Sequence, residues 1–207
     1  MGGGADLLLL HFRETVDELA DVQLQLRRSR PGALLRLEHD YTSVTETALY
    51  QATSEAARTA APGSAEFRRV LQEAADAELA STHIRTRLYP QPPESMRYIS
   101  FYPMSKRRQH PDNWYALPLD ERTRLMREHG LTGRGYAGRV FQVITGSTGL
   151  DDWEWGVTLF AADPLEFKRI VTEMRYDEAS TLYGEFGEFY TGVRAAPADI
   201  AALFMLD

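Results

Sequence analysis

The chain contains no cysteine. That absence removes disulfides, zinc ribbons, iron–sulfur clusters and thiol nucleophiles, and leaves any metal to His, Asp, Glu, Met or Tyr. No run of about 18 apolar residues occurs, so no membrane span is expected. Residues 7–10 are too short an apolar stretch for a signal peptide. The expected compartment is the cytoplasm. Basic charge is also scarce: 23 Lys and Arg face 30 Asp and Glu, for a formal net charge of −7. Such a balance argues against nucleic acid as a partner. Histidine occurs five times. None of the five makes a His-x-x-x-His or His-Glu-x-x-His spacing, so a multi-histidine zinc site is not expected.

What is present suffices for a core, since 43% of the 207 residues are hydrophobic. After a glycine-rich lead-in, residues 7–13 form a short apolar run that reads as a buried strand. Residues 14–28 carry helical spacing, stopped by Pro31-Gly32. Residues 34–49 include β-formers and predict a strand. Residues 56–64 are small and polar and predict a flexible connection. Residues 66–80 predict a surface helix. Pro90, Pro92 and Pro93 mark an irregular segment, and the boundary between two units, 1–92 and 93–207, is placed there.

The second half reads more clearly. Residues 97–104 alternate and are aromatic, a strand. Residues 119–129 predict a helix, with Gly130 as its stop. Residues 138–145 and 153–161 predict two strands. Asp163-Pro164 opens an amphipathic helix, and residues 184–193 predict a closing strand. The order strand–helix–strand–strand–helix–strand is the ferredoxin-like pattern. The expected class is α+β.

Three features could carry chemistry. His129, placed in the last turn of its helix, reads either as a capping histidine or as an axial ligand of a metal such as iron. Tyr102-Pro103-Met104-Ser105-Lys106-Arg107-Arg108 ends a strand with a phenol, a thioether and three cations. It reads either as a solvated basic loop or as an anion site in which Lys106 and Arg107 meet carboxylates. Arg85, Arg87 and Arg175 could add to such a site. Third, aromatics crowd the second half: Trp114, Tyr115, Trp153, Trp155, Phe160, Tyr176, Tyr183, Phe186, Phe189 and Tyr190. Most are expected in the core; some could line a flat ligand.

The three features occur together in long stretches: IRTRLYP, YISFYPMSKRR, NWYALPLDERTRLMREHG, GRGYAGRVFQVITGSTGLDDWEWGVTLFA and DPLEFKRIVTEMRYDEASTLYGEFGEFY. Over residues 84–193 the chain resembles the coproheme decarboxylases, hydrogen-peroxide-dependent haem synthases of the chlorite dismutase-like superfamily. The resemblance implies two ferredoxin-like units with the haem site in the C-terminal one. It implies conversion of coproheme, with its four propionates, to haem b by two oxidative decarboxylations that consume hydrogen peroxide. His129 matches the proximal iron ligand. Tyr102 matches the tyrosine that carries the oxidation to a propionate, and Lys106 the lysine that assists the second decarboxylation. Arg87, Arg175 and Ser180 match propionate contacts, with one extra residue separating Arg87 from the tyrosine. Met104 matches a position beside the reacting edge, Gln142 the distal position, and Trp114 and Trp153 tryptophans near the porphyrin. The resemblance further implies a homopentamer and transient contact with the ferrochelatase that delivers coproheme.

Chlorite dismutases place an arginine where this chain has Gln142, which puts chlorite decomposition below decarboxylation. The N-terminal half matches weakly. Residues 7–28 resemble the third strand and second helix of the family's first unit, and the elements before them have no counterpart in the chain. A peroxidase-like enzyme, a haem-binding module without turnover and a cofactor-free ferredoxin-like domain are the competing readings.

Overall fold

The computed structural model describes residues 4–45, 50–79, 88–196 and 199. Helix α1 spans Val16–Arg28 and is opened by a capping box: Thr15 accepts from the Glu18 amide while the Glu18 carboxylate accepts from the Thr15 amide. Acidic residues sit in its first turn and arginines in its last, which complements the helix dipole. Strand β1 is short, Val44–Thr45. Helices α2 (Tyr50–Thr59) and α3 (Ala65–Leu79) follow. Strand β2 (Tyr98–Lys106), a 3₁₀ turn (Trp114–Ala116) and helix α4 (Leu119–Arg134) come next. Then follow β3 (Val140–Gly146), β4 (Trp155–Ala161), α5 (Leu165–Met174), the single turn α6 (Glu178–Thr181), β5 (Gly184–Phe186) and β6 (Tyr190–Val193).

The sheet is antiparallel, in the order β1-β3-β4-β2-β5, with β6 also on β2. Taken from β2 onward, this is the ferredoxin-like arrangement that the element order predicts. β2 pairs with β4 along its length, Tyr98 opposite Ala161 and Met104 opposite Trp155. Alternation divides β2 between two faces. Tyr98, Tyr102 and Met104 face α5, packing with Val157, Leu159, Phe167 and Ile170. Ile99 and Phe101 point the other way, where Tyr41 lies 5.3 Å from Phe101 between ring centroids.

Four expectations are corrected. Residues 7–13 lie in no strand. Leu8, Leu9, Leu10 and Phe12 are each about 40% exposed, because nothing among the described residues pairs with or covers this run. Residues 56–59 belong to α2 rather than a loop, and Ala56 is fully buried. Small residues there serve close packing rather than flexibility. Helix α4 runs through Gly130 to Arg134, with Gly135 as its cap. Gly130 has no positive φ, so nothing at that position stops the helix. The last strand is broken in two at 187–189. There a Cβ on Gly187 would come within 2.8 Å of Pro103 and 2.9 Å of Trp153, so the strand yields to a close crossing. No helix among the described residues is long and apolar enough to cross a membrane.

Candidate functional site

Because α4 continues past Gly130, His129 lies inside a helix and not at its end. The reading of His129 as a dipole-capping side chain loses its ground. Its Nδ1 lies 2.8 Å from Asp177 Oδ2. An ionised carboxylate only accepts, so Nδ1–H is the donor, and in the neutral ring the lone pair is on Nε2. This is how proteins fix the tautomer and direction of an imidazole that binds a metal. Asp177 is held in turn as the N-cap of α6, accepting from the Ser180 amide at 2.9 Å and from the Ser180 hydroxyl at 3.3 Å. Burial favours its neutral form, but the bonds from His129 and Ser180 outweigh that and lower its pKa. Asp177 therefore stays an anion beside the imidazole.

Lys106, at the end of β2, is buried, not part of a solvated loop. Its Nζ donates to the Ala179 carbonyl at 2.7 Å and lies 4.6 Å from the centroid of the Trp114 ring. Burial lowers its pKa to about 8, against the pull of Asp177 and Glu154 toward the charged form. Its backbone amide donates to Glu154 Oε2 at 2.8 Å. Arg107, by contrast, remains at the surface, 3.8 Å from Asp112.

Tyr102 is 5% exposed. Its ring stacks on Phe189 with centroids 4.4 Å apart and meets Phe186 at 6.1 Å. Burial raises its phenol to about 12, with Arg175 pulling the other way, so it is neutral at physiological pH. Arg175 ends α5, exposed, with its guanidinium 4.7 Å from the Phe186 ring. Gln142 on β3 donates to the Gly133 carbonyl of α4 at a long 3.4 Å. Met104 packs at the edge of the Tyr102 cluster. Trp153 is partly buried against Gly187.

The structure thus brings His129, Ser180 and Lys106 together around α6, and Tyr102, Met104 and Arg175 together around Phe186. Trp114 joins the first group through Ala179 and Lys106. Arg87 and Arg85 lie outside the described residues. Two clefts, one lined by His39, Asp40, Asp151 and Trp153 and one by Tyr136, Lys168 and Tyr176, do not include His129 in their walls. Sequence reasoning gives neither Asp177 nor Glu154 a role. Asp177 has a signal in its Asp-x-x-Ser capping spacing; Glu154 has none beyond a charge between two tryptophans.

The Chlorite dismutase family model matches residues 1–195. The chain belongs to that family. A novel haem-binding protein from Thermus thermophilus has 41% sequence identity to this family member, with a TM-score of 0.76 over 94% of this chain and 69% of that one. A mutant chlorite dismutase from Candidatus Nitrospira defluvii shares 21% identity, with a TM-score of 0.67 over 92% of this chain and 68% of that one. The same enzyme in complex with imidazole shares 20%, at a TM-score of 0.64 over 90% and 68%. These last two bear on the fold alone.

The residues present fit a haem-type group. His129 offers Nε2, and Lys106 and Arg175 offer cations to acidic side arms. Among the described residues the indole Nε1 of the fully buried Trp114 has no hydrogen-bond partner. A buried N–H left unpaired costs about 1–3 kcal/mol. It is a donor waiting for an acceptor.

Proposed function

We propose that this chain decarboxylates two propionates of coproheme with hydrogen peroxide, giving haem b. The observation that carries the reading is the His129–Asp177 pair, an imidazole whose Nδ1 is held by a partly buried carboxylate, set near a buried lysine. When bound, the iron porphyrin supplies the oxidising power. His129 would hold the iron through Nε2, and Asp177, bound to Nδ1, would strengthen that nitrogen as a donor. Lys106, Arg175 and Ser180 orient propionates, with Arg87 assigned the same task. Tyr102, neutral and shielded from bulk water, would give up its phenolic hydrogen atom and then take one from the propionate β-carbon. Lys106 serves the second decarboxylation. Trp114 and Trp153 would lie near the porphyrin, Met104 beside the reacting edge, and Gln142 at the distal position, without the charge that an arginine would bring.

On this reading residues 93–207 form the haem-binding unit and residues 1–92 a partial first unit, in a cytoplasmic homopentamer that receives coproheme from a ferrochelatase. A second reading is haem binding without turnover, favoured by the haem-binding relative from Thermus thermophilus. Reconstitution with ferric coproheme, titration with hydrogen peroxide and mass analysis separate the two. Two successive losses of carbon dioxide are expected from the wild-type chain, and none from Tyr102→Phe, which keeps its Soret band. Bleaching of the wild-type complex without vinyl products would leave only the binding module.

A further inference from the structure

We infer that Glu154 is a positioning residue: its buried carboxylate clamps the Lys106 end of β2 to the turn that carries Trp114, and so fixes where Lys106 meets an acidic side arm of the ligand. The inference rests on the proposed porphyrin reading for its ligand, though not for its geometry. Glu154 is 5% exposed, yet it is charged and lies between two tryptophans. Burying a carboxylate is costly unless its oxygens are satisfied, and here each oxygen has a donor from a different element. Oε2 accepts from the Lys106 amide at 2.8 Å, and Oε1 accepts from the Tyr115 hydroxyl at 2.7 Å. Tyr115 adjoins Trp114, whose ring lies under the Lys106 ammonium. The backbone is tied as well. The Glu154 amide lies 3.1 Å from the Met104 carbonyl and 3.2 Å from Ser105 Oγ, and its carbonyl accepts from the Ser147 amide at 2.8 Å.

One carboxylate therefore holds both the base of Lys106 and the aromatic wall against which its ammonium rests. The lysine has little freedom of its own, since its Nζ is bound to Ala179 at the start of the Ser180 turn. The charged groups that act on Lys106 are Asp177 from the α6 cap and Glu154 from the β3–β4 connection. Glutamine at position 154 would keep the length of the arm but remove the negative charge and turn an NH2 group toward one of the two donors, so the clamp loses a bond as well. Aspartate would keep the charge and shorten the arm, releasing one of the two donors. Position and charge can thus be separated by substitution.

The sequence holds two lysines, Lys106 and Lys168. Lysine labelled with ¹³C at Cε therefore gives two signals in the whole apo-chain, assigned by Lys168→Arg at the surface. Glu154→Gln is expected to lower the Lys106 titration midpoint by about half a unit or more. In parallel, it should weaken coproheme binding roughly tenfold while changing haem b binding less than about threefold, because haem b lacks two of the four carboxylates. Glu154→Asp should restore the midpoint but not the preference for coproheme. Far-UV circular dichroism and a cooperative melt confirm that each variant folds; should Glu154→Ala fail this, the isosteric glutamine carries the test. Unchanged midpoint and unchanged porphyrin preference in Glu154→Gln would overturn the proposal. If the wild-type chain binds no iron porphyrin, the functional reading fails, and the lysine titration alone judges Glu154.

Discussion

At the scale of single residues, Lys106 shows what the site costs the fold. A lysine whose folded pKa is lowered to about 8 by burial binds its proton less tightly than the unfolded chain does. Below pH 8 both states are protonated, and the folded state carries the full burden of a buried charge. Between pH 8 and the ordinary lysine range near 10.4, the unfolded chain holds a proton that the folded one has shed, so stability rises with pH there. Lys106→Met removes the burden. It should raise stability at pH 7 by about 1–3 kcal/mol, less the lost bond to Ala179, and flatten the rise above pH 8. Urea unfolding at pH 7 and pH 9.5 reads both effects, and a loss of stability at pH 7 would contradict this account. On the proposed function, that cost is the counterpart of the acidic side arm Lys106 would bind. The same scale shows why only part of the site is legible in sequence. Tyr102 and Lys106 share a face because four residues of strand separate them. Asp177 and Glu154 matter through partners 48 residues away, His129 and Lys106. No local spacing encodes those pairings.

At the scale of elements, α4 decides how His129 is presented. A glycine after an amphipathic stretch is a common helix stop, and sequence reasoning takes Gly130 as one. In the structure Gly130 lies within the helix, and a Cβ there would meet only Arg134 Nη1 at an ordinary 3.5 Å. Gly130→Ala should therefore stabilise the protein by about 0.5–1 kcal/mol, since alanine loses less backbone freedom in a helix interior. Were Gly130 a left-handed stop, the same change would destabilise, so a thermal melt distinguishes the two. The true end follows at Gly135, after Gly133, where a Cβ would come within 3.2 Å of Met174 and 3.5 Å of Gln142. Two glycines permit close approach or termination and the third does neither; the sequence does not rank them. Alternation in β2, the Asp163-Pro164 start of α5 and the order of elements are legible, because local sequence pattern sets them. The break between β5 and β6 is not, because it depends on Pro103 and Trp153 crossing at Gly187.

At the scale of the whole molecule, stability is unevenly shared. The sheet and helices α4 and α5 bury Tyr102, Leu159, Phe160 and Ile170, whereas α1 buries no residue at all. Leu34 and Leu37 are about three-quarters exposed, and Val16 is 64% exposed. Hydrophobic stabilisation scales with the apolar area removed from water, so residues 4–38 contribute little within this chain. Ties from the first third to the sheet come just after them: two residues of β1 against β3, the Tyr41 hydroxyl bound to Ser147, and the rings of His39 and Tyr41 against Tyr190 and Phe101. Hydrogen exchange should accordingly show two levels. Amides of β2 and β4, each paired on both sides, should exchange only on global opening, while those of α1 should exchange orders of magnitude faster through local opening. Leu34→Ser with Leu37→Ser should change the unfolding free energy by less than about 0.5 kcal/mol. Phe160→Ala, in the paired centre, should cost about 3–5 kcal/mol. Comparable protection in α1 and β4 would mean that the exposed leucines are covered in solution, and the site would then rest on contacts beyond those within a single chain.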